Sequence, residues 1–318
     1  MSSNIRIPIE RIISVACRNF MAFDDLHTFK FDEGINTVVG GNSSGKSSLV
    51  TLLSRALQSD MTKSRTGNWH RNFFNNESLI EMKFIAGDKE HYLRRVLISG
   101  TTSDLHLYIE EEDGSRTFYR DGQVIDYFRK LKKITTANDF ENPRRDFYFW
   151  TSGKTNNVNP LFAKSKEIIR QINTFLPVPG GNIAKLHLVD NIIMALDRVG
   201  ELRNLSSISG GEGKIIFLIA KIITVINDVE KEDSSRVILI DDIENGLDKS
   251  RINALYETMK SIGQEFGCQF IVTSRFANGR ANPIRVKTTK IPDCYSRNDL
   301  TNGMKAIQNY IKKFNPNF

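Results

Sequence analysis

Cysteine is scarce, with three in 318 residues (Cys17, Cys268 and Cys294). They stand far apart and form no C-x-x-C pair, so neither a disulfide framework nor a zinc site is expected. Cys17 and Cys268 lie in apolar, strand-like runs and read as core residues. No apolar run approaches the ~18 residues needed to span a bilayer, and the N-terminus has no signal-peptide core. The expectation is a cytoplasmic protein that makes no use of a membrane. Internal repeats and sustained heptads are also missing, which sets aside solenoids and long coiled coils.

What is present is ordinary for a globular chain, 40% apolar and 25% charged, with enough length for a full core. The formal charge of +7 is unevenly spread. From residue 275 onward there are nine Lys/Arg (Arg275, Arg280, Arg285, Lys287, Lys290, Arg297, Lys305, Lys312, Lys313) against Asp293 and Asp299, so the whole surplus lies there. Such a segment suits phosphate contacts to nucleic acid, or is simply a solvated basic surface; no aromatic interleaving decides between them.

The sharpest local pattern is Ile35-Asn-Thr-Val-Val-Gly-Gly-Asn-Ser-Ser-Gly-Lys-Ser47. A β-branched run meets Gly40, then Gly45, Lys46 and Ser47 complete a G-x-x-x-x-G-K-S loop, and Ser48 to Leu57 continues with helical spacing. Strand, glycine-rich turn and helix together form a phosphate loop. Its backbone N–H groups, including those of Asn42, Ser43, Ser44 and Ser48, curl around a polyphosphate. Lys46 supplies a point charge to the outer phosphates, and the Ser47 hydroxyl is placed for Mg²⁺.

Around this loop the chain alternates. Residues 6–17 and 26–31 read as an antiparallel strand pair feeding the phosphate-loop strand. Residues 78–85, 91–98, 105–109 and 116–119 read as a β-rich insertion broken by Asp113-Gly and Asp121-Gly, with a helix from Val124 to Leu131 after it. A polar basic loop (60–76), a polar stretch (137–145), an aromatic strand (147–150) and a boundary at 151–160 complete this half. Leu161–Phe175 has a helical apolar face stopped by Pro177. Strands over 184–195 and 201–205 lead to Gly210-Gly211, and Glu212–Ile226 is apolar all round, a buried helix. Val237–Ile240 and Gln269–Thr273 are strands joined by a helix over 249–262, so a parallel crossover and an α/β sheet are expected.

A phosphate loop needs a metal-holding acid reaching from the sheet's carboxyl edge, and Asp241 follows a buried strand at the right place. Asp242 beside it is placed to polarise the attacking water.

Three segments together resemble the ATPase heads of the ABC superfamily, in its SMC, RecF and RecN branch. They are Arg18-Asn-Phe20 through Phe31, with Gly34-Ile-Asn36 and Gly41 to Ser48; Leu205-Ser-Ser-Ile-Ser-Gly-Gly-Glu-Gly-Lys214; and Ile238-Leu-Ile-Asp-Asp-Ile-Glu-Asn-Gly-Leu-Asp248. The resemblance covers residues 6 to 275. It implies an ABC-type head with a central mostly parallel sheet, an N-terminal antiparallel β subdomain and a helical signature lobe. The lobes would be 1–150 and 161–275, with 151–160 a linker at the coiled-coil position and 276–318 a basic C-terminal segment.

The resemblance also implies a mechanism that one subunit cannot complete. ATP and Mg²⁺ held by the loop, Arg18 and Asp241 would be sandwiched by Ser209, Gly210, Gly211 and Glu212 of a second copy, with Asp248 facing the partner's site. Asp242 stands where many relatives have Glu, one methylene longer, which implies slow ATP hydrolysis. Arg275 stands where many carry a switch His, and Ser152-Gly153 where a Q-loop glutamine is usual. Only 151–160 occupy the position of the branch's coiled coil, so a bare head is expected. The functions that follow are an ATP-dependent dimeric ATPase at DNA in repair, recombination or antiviral defence, or an ATP-sensing subunit that controls an effector such as a nuclease or toxin. The third is the nucleotide-binding subunit of a transporter, against which the missing His argues.

Overall fold

The computed structural model describes residues 6–58, 77–98, 101–136, 165–189, 192–229, 234–244, 247–276 and 281–286, all inside one compact unit, Met1–Val286. Its first half runs β1 (Ile9–Arg18), β2 (His27–Lys30), β3 (Ile35–Val39), α1 (Lys46–Arg55), β4 (Glu77–Ala86), β5 (Lys89–Ile98), β6 (Thr101–Glu110), β7 (Arg116–Arg120), α2 (Gly122–Phe128) and β8 (Lys133–Thr136). The second half runs α3 (Ser165–Thr174), β9 (Ile183–Val189), β10 (Ile192–Asp197), β11 (Leu202–Asn204), α4 (Gly210–Val229), β12 (Ser234–Ile240), α5 (Lys249–Phe266), β13 (Gln269–Ser274) and β14 (Asn282–Arg285).

These strands form three sheets. Six are antiparallel in the order β2-β1-β4-β5-β6-β7, three are antiparallel as β11-β10-β9, and five form a sheet β14-β3-β13-β12-β8 in which every pairing is parallel. The residue patterns account for the difference. β4 alternates buried and part-exposed positions along its length, as a strand with one wet face must. β13 is buried at all six positions, as a strand covered on both faces must be.

Successive residues of the parallel strands supply two cores. Val38, Val237, Leu239 and Ile271 pack with the six-stranded sheet, α1 and α2, while Ile35, Ile238, Ile240, Phe270 and Val272 pack with α3, α4 and α5. The parallel sheet is therefore the middle layer. Buried Gln269 fastens it to the antiparallel sheet: its Oε1 accepts the Ile12 N–H at 2.8 Å, and its Nε2 donates to the Ile12 and Asp32 carbonyls, each at 2.9 Å.

The β-rich stretch over 78–119 joins the N-terminal strands in one sheet, because β1 pairs with β2 on one side and β4 on the other. One reading changes. Asn282–Arg285, expected within the basic segment, is an edge strand beside β3. The opposite edge, Lys133–Thr136, also went unread; both are four-residue strands with no periodic pattern to betray them. The expected basic loop at 60–76, the stretch 137–145, the aromatic run 147–150 and the linker 151–160 lie outside the described residues, as does 287–318.

Candidate nucleotide site

β3 ends at Val39, and the chain turns through Gly40–Gly45 into α1. Gly45, the residue before the helix, has φ +95°, and a Cβ there would sit 2.9 Å from Ala22 Cβ and 3.2 Å from the Phe23 ring. Only glycine fits, on conformation and on space. The loop thus rests on the tight turn after β1, where Phe20 and Phe23 exchange backbone hydrogen bonds of 2.7 and 2.9 Å. Arg18, just before this turn, pairs with Glu77 at 3.0 Å on the surface.

The first helical bond runs from Leu49 N to Gly45 O, 3.0 Å. The N–H groups of Lys46, Ser47 and Ser48 precede it and have no intrahelical acceptor, as at any helix N-terminus. No acidic residue occupies this first turn, so the helix dipole faces the loop uncompensated. Lys46 Nζ curls over the loop and donates to the Gly40 and Gly41 carbonyls, both at 2.7 Å. Asn42, Ser43 and Ser47 are exposed, whereas the Ser44 hydroxyl oxygen is buried with no hydrogen-bond partner among the described residues.

β13 lies between the phosphate-loop strand β3 and the acid-bearing strand β12. Its end joins the two. The Ser274 carbonyl accepts the Gly40 N–H at 3.3 Å. The Thr273 hydroxyl donates to Asp241 Oδ1 and accepts the Asp242 N–H at 2.7 Å. Asp242 has φ +53°, an unusual left-handed conformation for a non-glycine residue, held by that contact. The sequence reading named Asp241 and Asp242 but not Thr273, whose only signal was a hydroxyl at the end of a buried strand.

Glu244 and Arg275 extend this corner. Glu244 Oε1 accepts the Arg275 backbone N–H and lies 3.5 Å from its Nε. Glu244 is almost wholly buried, and its other oxygen has no partner among the described residues. Lys214, from α4, faces the same corner: desolvation lowers its pKa, opposed by the carboxylates of Asp242 and Glu244.

The signature residues lie elsewhere in the chain's own fold. Ser209 Oγ accepts the Glu212 N–H at 3.3 Å and so caps α4. Ser209 and Gly210 are exposed and Gly211 partly so. Glu212, expected at the nucleotide of a second copy, accepts within its own chain the N–H groups of Asn182 and Ile183, the latter at 3.0 Å, bracing the turn before β9. Asp248 caps α5 by accepting the Arg251 N–H at 3.0 Å and is exposed. The structure thus gathers Gly40–Ser48, Asp241 and Asp242 at one sheet edge, and Ser209–Gly211 with Asp248 on an outward face.

A phosphate loop opening a helix, an acid pair one strand away and a capped signature helix define an SMC- and RecF-like ABC-type ATPase head. Residues 11–287 match the model of the RecF/RecN/SMC N terminal domain, and the chain belongs to that family. Solved structures share the fold. An SMC head domain from Thermotoga maritima is 16% identical, with 84% of this chain and 89% of that one covered and a TM-score of 0.50. An SMC head bound to the C-winged helix domain of ScpA is 18% identical, with 87% and 94% covered and a TM-score of 0.56. No curated protein matches the chain.

Proposed function

We propose that the chain binds and hydrolyses Mg-ATP, dimerises around it, and acts on or near DNA in repair, recombination or antiphage defence. The observation that carries this is the Thr273–Ser274 end of β13, which touches the phosphate loop through Gly40 and both acids through one hydroxyl. A triphosphate along the loop would meet the N–H groups of α1, Lys46 and the Asp241 edge together.

The residues fit a magnesium nucleotide. Among the described residues no group of three or more His, Cys, Asp or Glu could hold a metal. Mg²⁺ would therefore take Ser47 and Asp241 and rely on phosphate oxygens and water, the sparse protein ligation usual for it. Bound there, it would neutralise charge on the outer phosphates. Asp242 would orient the attacking water, and its short side chain supports slow turnover.

Support for the dimer is the exposed face carrying Ser209, Gly210 and Asp248. Support for DNA is family membership and the charge of +7, whose surplus lies from residue 275 onward. The similar head held by a winged-helix domain favours a second reading, in which this head is one subunit and an effector protein such as a nuclease is its partner. No helix among the described residues is long and apolar enough to cross a membrane.

The test is Asp242→Asn with ATP in light scattering: a stable dimer is expected, and Lys46→Ala should bind no ATP and stay monomeric. An Asp242→Asn protein that binds ATP yet remains monomeric would sink the sandwich. DNA binding at low salt tests the rest, and none at all would remove the DNA half of the proposal.

A further inference from the structure

Between the signature loop and the start of α5 stands Arg251. Its Nη1 lies 3.2 Å from Asp248 Oδ2, its Nη2 donates to Ser209 Oγ at 3.5 Å, and its side chain is 41% exposed. An i,i+3 ion pair of this kind is ordinary on a helix surface and needs nothing opposite it. Here the pair also packs against a glycine. A Cβ at Gly211 would fall 2.5 Å from Arg251 Nη1 and 3.1 Å from its Cζ. The second glycine of the signature thus leaves space that the guanidinium occupies.

The surroundings prepare this guanidinium for an anion. Ser209, Gly210, Asp248, Lys249 and Ser250 around it are exposed. Glu212, the acid nearest in sequence to the glycines, is turned away onto two backbone N–H groups. The ion pair to Asp248 and the contact to Ser209 hold Nη1 and Nη2 beside the signature and leave donors of the guanidinium for an incoming oxyanion.

We propose that Arg251 is a catalytic residue in trans: beside Ser209, it contacts the γ-phosphate of the nucleotide held by a second copy of this chain. The inference rests on the sandwich proposed above. A serine hydroxyl and a helix N-terminus supply only partial charge, and Arg251 adds a cation, offset in part by Asp248, where negative charge gathers during phosphoryl transfer.

A mixing experiment tests it. Arg251→Ala should keep the ATP affinity of its own loop and lose on the order of a hundredfold or more in kcat. Mixed in equal amounts before ATP is added with Asp242→Asn, which keeps Arg251 and dimerises but lacks the acid that orients water, it should regain about a quarter of the wild-type rate, the fraction of sites that pair an intact loop and Asp242 with an intact arginine in randomly assorted dimers. Arg251→Lys, which keeps the charge and the Asp248 pair, should retain part of kcat on its own and guards against simple misfolding. If Asp242→Asn dimerises with ATP while the mixture stays inactive, Arg251 does not act in trans and this inference alone fails. Wild-type kcat in Arg251→Ala would overturn it as well. If Asp242→Asn does not dimerise with ATP, the sandwich itself fails.

Discussion

Thr273→Val removes one hydroxyl from the junction of loop and acids while filling nearly the same volume. The residue is fully buried, so water cannot replace what is lost. Two contacts disappear: the donation to Asp241 Oδ1, and the acceptance of the Asp242 N–H at 2.7 Å. A hydrogen bond to a charged group is worth about 1.5–3 kcal/mol, and a buried N–H left without an acceptor costs about 1–3 kcal/mol. The first contribution should appear as weaker orientation of Asp241, raising the Mg²⁺ concentration that half-saturates ATP turnover roughly ten- to hundredfold. The second should appear as a fall of several degrees in Tm. Both are measured on one preparation, by a phosphate-release assay titrated with Mg²⁺ and by thermal denaturation, and Thr273→Ser should recover both. An unchanged Mg²⁺ dependence in Thr273→Val, in a protein that has lost stability, would show that the hydroxyl supports the fold and not the acid.

Gln269→Leu should destabilise the head by about 2–4 kcal/mol, because it strands the Ile12 N–H and two carbonyls that the amide satisfies between the two large sheets; denaturant titration measures this, and a change below 1 kcal/mol would mean the sheets hold without it. Buried His91 donates from Nδ1 to the Lys89 carbonyl at 2.9 Å and accepts the Tyr127 hydroxyl at 2.6 Å through Nε2. Burial lowers its pKa, so the unfolded chain takes up the proton first and stability should fall as the pH drops below the ordinary histidine value of about 6.5. His91→Gln should flatten that slope in pH-dependent unfolding, and an unaltered slope would assign the acid sensitivity to other groups.

Several elements were legible because their cause is local. Alternation in Ser78–Ile85 and His91–Ile98 gave strands that the structure extends by only a residue or two at some ends. The apolar run after Gly211 gave a helix, observed as Gly210–Val229. Other features depend on what lies across the fold. Arg94 and Arg95 are adjacent, yet only Arg95 is buried; it donates to the Ala56 and Gln58 carbonyls at 3.1 and 2.7 Å and so closes the C-terminal end of α1. Glu212 sits in a signature-like tetrad, but its carboxylate is drawn to backbone N–H groups about thirty positions upstream. Glu244 and Arg275 meet only because β12 and β13 are adjacent parallel strands ending at the same edge.

The phosphate loop was determined by sequence alone, since contiguous glycines set the backbone conformation and a contiguous lysine and serine set its chemistry. The acids and the signature were likewise read from short patterns of residue type, and their roles are proposals. Tertiary structure alone decided that Thr273 joins the loop to the acids, that β14 and β8 close the sheet, and that the Arg251 guanidinium occupies the space left at Gly211. Those contacts join residues far apart in the chain, and their geometry is set by strand order and layer packing, which no local pattern of residues encodes.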